Sequence, residues 1–186
     1  MKKISIFLIL MTLCLSVYAD ALKDLSALLQ KVHSAKASFS QTIITEQGQV
    51  LQDASGIMRL LKPGYFFWKI EKPNQQLILI KSNKVYLYQQ DLQQLTVKPF
   101  NVSQTHTPAA LLLSGDFSSL NQQYFAKERQ KDNLLTFILL PKKDHQLLKG
   151  ITITFDGDHL VSLSLFDHFN HVTKIIFKDF YLNPGL

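Results

Sequence analysis

The chain has 186 residues, a length that suits one domain plus a short additional segment. It carries 20 Lys and Arg residues against 14 Asp and Glu residues, and the basic residues are spread along the chain. This spread argues against a nucleic-acid-binding patch, and the presence of only one cysteine, Cys14, excludes a disulfide within the chain.

Residues 1–19 have the order of a secretory signal. Two lysines follow the initial methionine, residues 4–17 are nearly all apolar, and Ala19 provides a small residue at the end. We predict cleavage after Ala19, with cleavage after Ala21 as the alternative, and one domain over residues 20–186. A membrane anchor is the competing interpretation, but the apolar run is shorter than the roughly 18–20 residues that a spanning helix needs.

Cys14 raises the alternative of a lipidated N-terminus. That processing needs a small residue just before the cysteine, whereas Leu13 stands there, and Cys14 lies well inside the apolar run. We therefore predict an exported, soluble chain that carries no lipid of its own.

An amphipathic helix is predicted over residues 21–33. Asp20 is placed to cap its N-terminus. Apolar residues then recur at helical spacing, namely Leu22, Leu25, Leu28, Leu29 and Val32. This apolar stripe requires another surface to pack on.

After this helix the pattern changes to short strands, with turn residues roughly every 8–12 positions. Gly56, inside the second strand, indicates a bulge or sharp coiling. The pattern favours a β-sandwich or a barrel-like meander. The predicted strands cover residues 37–44, 49–62, 65–71, 77–81, 85–88, 95–97, 123–130, 134–140, 148–155, 159–166 and 172–181.

A short helix interrupts the strands at residues 108–114. Thr107 is placed to cap it, a proline begins it, and Gly115 is placed to end it. The helix is apolar on every side because residues 109–113 are alanine and leucine, so it is either buried or waiting to be covered. A further helical turn is predicted over residues 116–120.

Strand parity gathers bulky apolar side chains on one face of the sheet. That face carries Met58, Leu60 and Lys62 from the second strand and Phe66, Trp68 and Ile70 from the third. The predicted helices are too small to cover a large sheet, so a sheet curled around them would leave an apolar cavity. An ordinary packed core is the alternative that periodicity alone leaves open.

The best candidate for a metal site is the polar run from Asp167 to His171, which also contains His168. It falls in a predicted hairpin turn, where polar residues are expected for structural reasons. No glycine-framed serine is present, and the only cysteine lies in the signal. We therefore predict no catalytic residue, metal or cofactor, with a metal-binding or enzymatic periplasmic protein as the less favoured alternative.

Several short motifs follow one another in an order that is typical of one protein family. Phe39-Ser40-Gln41 lies in the first strand, and the most specific series is Gly56, Lys62-Pro63, Phe66, Trp68 and Pro73. The later motifs are Tyr88, Asp91, Gln94, Thr96, Thr107-Pro108, Leu111, Leu112, Leu140-Pro141, Asp167, Thr173, Ile175 and Phe177. Their order and spacing resemble the LolA family of periplasmic outer-membrane lipoprotein carriers, from the first helix to about residue 180.

The resemblance implies a mainly β fold, an incomplete antiparallel β-barrel with an N-terminal helix and short lid helices around an apolar cavity. It implies a periplasmic chaperone that takes lipoproteins from an inner-membrane transporter, shields their acyl chains and delivers them to an outer-membrane receptor. It also implies a monomer that binds no nucleic acid. The implied lid latch is Lys62, and the implied cargo-binding residues are Met58, Leu60, Phe66, Trp68, Ile70, Leu111, Leu112 and Leu113.

Two features depart from the family pattern. Family members usually have arginine at the position of Lys62, where it bonds to backbone carbonyls of the lid, and lysine lacks the planar five-donor group. We expect Lys62 to reach carbonyls at the end of the 108–114 helix, where the helix dipole favours a cation. Family members usually continue through a further strand or loop after the position of Leu186. A carrier or sensor of free lipid on the same fold is the alternative function.

Overall fold

The computed structural model describes residues 16–101, 108–143 and 148–185. These residues form three helices, α1 (Ser16–Lys31), α2 (Pro108–Ser114) and α3 (Phe117–Gln123). They also form eleven strands, namely β1 (Ser34–Ile44), β2 (Val50–Leu61), β3 (Tyr65–Lys72), β4 (Gln76–Lys81), β5 (Lys84–Gln89), β6 (Gln94–Pro99), β7 (Tyr124–Lys131), β8 (Leu134–Pro141), β9 (Leu148–Asp156), β10 (His159–Asp167) and β11 (Val172–Leu182).

All eleven strands belong to one antiparallel sheet. Their order is β6-β5-β4-β3-β2-β1-β11-β10-β9-β8-β7, so β1 and β11 lie side by side in the middle. Among the described residues, β6 and β7 each pair on one side only, and the sheet does not close on itself. The predicted unclosed antiparallel β fold is confirmed.

The sheet is curled around its apolar face. Met58 and Leu60 on β2 and Phe155 on β9 line the same small cavity. In a flat sheet β2 and β9 would stand about 19 Å apart, since they are four strand spacings from each other. Only a strongly bent sheet brings these side chains together, so we call the face that carries them the inner face.

The junction between α1 and β1 is held by the other end of the chain. The side-chain oxygen of Asn183 accepts hydrogen bonds from the backbone N–H groups of His33 and Ser34 at 2.8 and 3.0 Å. Its amide nitrogen donates to the carbonyl of Lys31 at 2.9 Å. These bonds end the helix earlier than residue 33 and start the strand at Ser34, three residues before the predicted start.

The first helix also begins earlier than predicted. It starts at Ser16, which places Asp20 inside the helix, so the prediction that Asp20 caps it is wrong. The helix runs through this position without a break. On its apolar stripe, Ala21, Leu22, Leu25 and Leu29 are buried. No helix within the described ranges is long and apolar enough to cross a membrane.

The third helix is capped by Asp116, the residue that directly precedes it. The carboxylate of Asp116 accepts a hydrogen bond from the backbone N–H of Ser119 at 2.9 Å. Hydrogen bonds from Ser119 hold the pKa of Asp116 below its ordinary value. The helix then runs to Gln123, beyond the predicted end at residue 120. The predicted cap Thr107 lies outside the described residues.

Candidate functional site

The five predicted sheet residues lie together on the inner face and are all buried, with exposed fractions of 1–8%. Met58 pairs with Trp68 across β2 and β3, and Leu60 pairs with Phe66. Ile70 is placed opposite Gly56. The parity argument is therefore confirmed for the arrangement of these residues, while their role in binding stays a prediction.

An aromatic cluster forms the centre of this face. The ring of Phe39 stacks on Trp68 with a centroid distance of 3.8 Å, and Phe177 meets Trp68 edge-on at 6.3 Å. Phe66 lies 6.2 Å from Trp68. Phe39 and Phe177 come from the central strands, so the cluster joins both halves of the sheet.

Gly56 makes room for this cluster. The register between β2 and β3 shifts between Ser55 and Gly56, which confirms the predicted irregularity. A Cβ atom at Gly56 would lie 1.9 Å from the backbone oxygen of Lys69 and 2.9 Å from Cζ of Phe39. Any side chain here would push β3 and the Phe39 ring away, which explains why glycine is needed at this point.

The helix α2 fills the space above the inner face. Leu111, Leu112 and Leu113 are buried, with exposed fractions of 4–6%. The cavity between Leu112, Met58 and Leu60 measures about 10 Å³, roughly what one water molecule requires. The apolar interior is thus filled by the protein's own side chains, including the leucines of α2.

Lys62 lies in the turn between β2 and β3, beside the two helices. Its ammonium donates a hydrogen bond to the carbonyl of Leu29 at 2.8 Å. Leu29 belongs to the last turn of α1, where the helix dipole favours a cation. The expected acceptor was the end of α2, and the acceptor that the described residues provide is in α1, which packs against the same interior.

Burial lowers the pKa of Lys62 to about 8. At neutral pH the side chain is still mainly charged, so it donates to Leu29 as an ammonium. The half-buried position makes the charge costly, and the hydrogen bond to a helix-terminal carbonyl offsets part of that cost. The free energy of the charged Lys62 side chain therefore depends on how closely its neighbours pack around it.

Ser26 on α1 provides a second connection, between α1 and the end of α2. Its hydroxyl donates to the carbonyl of Gly115 at 2.9 Å and accepts a hydrogen bond from the Gln30 side chain at 3.1 Å. Ser26 is buried, with an exposed fraction of 3%. Ser26 was not among the residues predicted from the sequence, although a small polar residue within the apolar stripe of α1 is a signal for such a contact.

The run from Asp167 to His171 forms a hairpin turn. One carboxylate oxygen of Asp167 accepts from the backbone N–H groups of Phe169 and His171 at 2.8 and 2.9 Å. The other lies 3.1 Å from Nδ1 of His171. These contacts give the polar residues a structural role in the turn. Within the described ranges, no three His, Cys, Asp or Glu side chains gather as a metal site would require.

Comparison with known proteins shows that this chain is similar to the members of one family. The family model described as outer membrane lipoprotein carrier protein LolA matches residues 30–186. Two relatives named outer-membrane lipoprotein carrier protein are 41% identical over 162 residues (Chromohalobacter salexigens) and 33% identical over 166 residues (Pseudomonas aeruginosa). The alignments cover 87% and 89% of this chain and 77% and 79% of the relatives.

Solved structures support the fold alone. An uncharacterized conserved protein from Thermus thermophilus superposes with a TM-score of 0.53 at 11% identity. The superposition covers 90% of this chain and 88% of that one. With the family model and the relatives matching over most of the sequence, the chain belongs to the LolA family of outer membrane lipoprotein carrier proteins.

Proposed function

We propose that this protein is a periplasmic carrier that shields the acyl chains of lipoproteins between its inner face and α2. The observation that carries the proposal is the apolar interior filled by a short helix whose residues 109–113 are all alanine or leucine. Membership of the lipoprotein carrier family and the names of the relatives support the same role. The proposed residues in contact with acyl chains are Met58, Leu60, Phe66, Trp68, Ile70, Leu111, Leu112 and Leu113.

Binding in this interior is an exchange of apolar contacts. Each methylene removed from water is worth about 0.8 kcal/mol, so ten methylenes contribute roughly 8 kcal/mol. Acyl chains must displace Leu111, Leu112 and Leu113 from the inner face, and the lost packing of these leucines offsets part of that gain. The carrier thus holds cargo firmly enough to shield it and releases it when α2 returns.

The proposed route begins at an inner-membrane transporter and ends at an outer-membrane receptor. Removal of residues 1–19 after export leaves a monomer that moves between the two membranes. Lys62 acts as the latch that favours the closed conformation. No bond is made or broken in this cycle, and we propose no catalytic residue or cofactor.

The test is the identity of the co-purified ligand. The protein is purified from the periplasm of a cell that exports it, and bound material is extracted and analysed by mass spectrometry. We expect triacylated or diacylated lipoprotein in the purified fraction. Phospholipid or free fatty acid alone would overturn the lipoprotein assignment and favour the free-lipid alternative.

A further inference from the structure

The outer face of the sheet, opposite the inner face, carries both apolar and polar rows of side chains. From β7 to β2, one outer row is apolar, with Phe125, Leu140, Gly150, Phe166, Val172, Ile44 and Val50. Across β8, β9, β10, β11, β1 and β2, another row of outer side chains is mostly polar: Ile138, Thr152, Ser164, Lys174, Thr42 and Asp53. Such a row is ordinary for a face in contact with water.

The half formed by β3 to β6 has an apolar outer face. Trp68 points inward, so its neighbours Phe67 and Lys69 point outward. Register then places two rows on this face, which are Phe67, Leu79, Tyr86 and Val97, and Lys69, Leu77, Tyr88 and Leu95. Arg59 lies over the Phe67 ring at 5.9 Å, which places both on the same face.

Exposure of these rows rises toward the free edge of the sheet. Phe67 and Leu77 are half-buried, whereas Tyr88 is 38% exposed and Val97 and Leu95 are 47% and 59% exposed. The two rows form one apolar surface that ends at β6, the strand with one free edge among the described residues. A contiguous, exposed apolar surface on a sheet face is a candidate contact site.

The same half of the sheet carries most of the net charge. Residues 59–99 contain seven basic residues (Arg59, Lys62, Lys69, Lys72, Lys81, Lys84 and Lys98) and two acidic residues (Glu71 and Asp91), a net charge of +5. The whole chain has a net charge of +6, and residues 100–186 have eight basic and eight acidic residues. Arg59, Lys69, Lys81 and Lys84 share the parity of the two outer rows, and Glu71 lies 3.5 Å from Lys69. Lys62 and Lys98 lie on the inner side, so four of the seven basic residues accompany the apolar surface.

We propose that this surface, the outer face of β3 to β6, docks reversibly on membrane surfaces that contain anionic lipid. Lysines attract the headgroups, tyrosines are suited to the boundary between headgroups and acyl chains, and Leu95 and Val97 reach the apolar layer. The inference goes beyond cargo binding, because this face is opposite to the interior. It would keep the carrier close to the membranes between which it moves.

The experiment is vesicle co-sedimentation of the protein purified from the periplasm, with no lipoprotein present. One set of vesicles is equimolar phosphatidylglycerol and phosphatidylethanolamine, and the other is phosphatidylcholine alone. We expect binding to the anionic set only, with a loss on added salt because surface charges are screened.

Two pairs of variants locate the surface. Leu95→Thr with Val97→Thr should abolish binding, whereas Ile138→Thr with Leu140→Thr, at similarly exposed positions on the outer face of β8, should keep it. The triple change Lys69→Gln, Lys81→Gln and Lys84→Gln, all on the outer face, should lower partitioning by about five-fold per lysine. The matched change Lys143→Gln, Lys174→Gln and Lys178→Gln should have less effect.

Two outcomes would overturn the proposal. One is the absence of binding to anionic vesicles at low salt, which would direct the search toward an acidic protein partner. The other is an equal loss of binding in the two pairs of variants, which would place the contact elsewhere. Since the assay contains no cargo, neither outcome bears on the lipoprotein carrier function.

Discussion

Leu29 and Gly115 approach each other so closely that a Cβ atom on Gly115 would lie 2.6 Å from Cβ of Leu29. Gly115 has a φ of +57° and directly follows α2, and the same imagined Cβ would be 3.5 Å from Nζ of Lys62. α1, the residue that follows α2 and the proposed latch lysine, Lys62, therefore meet at one point, which we call the latch junction.

Gly115→Ala should hold the lid partly open. The added methyl group cannot fit against Leu29 at the latch junction, so the variant should bind an apolar fluorescent probe more tightly than the wild type. Gly157→Ala is the matched control, because Gly157 has the same φ of +57° and nothing within 4 Å of its Cβ position. Equal probe binding by the two variants would show that backbone strain, rather than the contact with Leu29, decides the effect.

Lys62→Leu should favour the open, cargo-bound conformation and slow the release of lipoprotein to the receptor. The substitution removes the hydrogen bond to the Leu29 carbonyl, which stabilises the closed form. The measurement is the rate of transfer of a purified lipoprotein from carrier to receptor. Lys62→Arg keeps the charge and the donors and should transfer at least as fast as the wild type. An unchanged rate in Lys62→Leu would remove Lys62 from the mechanism.

Stability should rise with pH in a window set by Lys62. Burial lowers the pKa of Lys62 from 10.5 in the unfolded chain to about 8 in the folded protein. Between these values the unfolded chain binds more protons than the folded one, so the free energy of unfolding increases as pH rises. Urea denaturation across this window should show a smaller increase for Lys62→Arg, whose side chain stays charged. Parallel curves for the two proteins would contradict the assignment.

Ser26→Ala should loosen α2 without a change in charge. The variant leaves the buried carbonyl of Gly115 without the hydroxyl that donates to it, at a cost of about 1–3 kcal/mol. Amide hydrogen exchange in residues 109–114 should accelerate, while exchange in β9 and β10 should not. Ser38→Ala, which removes a hydroxyl near the surface of β1, is the control. Acceleration throughout the sheet would indicate general destabilisation and sink the local interpretation.

Gly56→Ala should destabilise the whole domain by about 3 kcal/mol or more, because the methyl group would overlap the backbone of β3. Gly150→Ala is the matched control within a strand, since its nearest neighbour would lie at 3.4 Å. Thermal unfolding of both variants provides the comparison. Similar stabilities would mean that β3 can shift away from β2 at little cost.

The sheet could be predicted strand by strand because its signals are local. Alternation of apolar and polar residues placed Met58 and Trp68 on one face, and turn residues placed the ends of β2 and β3 within a residue or two. The resemblance to a family supplied the unclosed barrel and the lid, which periodicity left open.

The latch junction could not be predicted in the same way. Ser26 and Gly115 are 89 residues apart, and Lys62 and Leu29 are 33 apart, so their contacts exist only after the sheet has curled. The acceptor of Lys62 was expected in α2 because the sequence says nothing about how close α1 approaches. The charged, apolar outer face also depends on register across four strands, which no local pattern contains.

The free edges of β6 and β7 have a mechanical consequence. In the described part of the chain, no backbone hydrogen bond joins these two edges, so the separation between them can grow while every strand keeps its neighbours. A closed barrel would have to break all the hydrogen bonds between two neighbouring strands to widen by the same amount. An interior of this kind can adjust its capacity to the bulk of its contents, because widening the seam is opposed by side-chain packing and by the few hydrogen bonds at the latch junction.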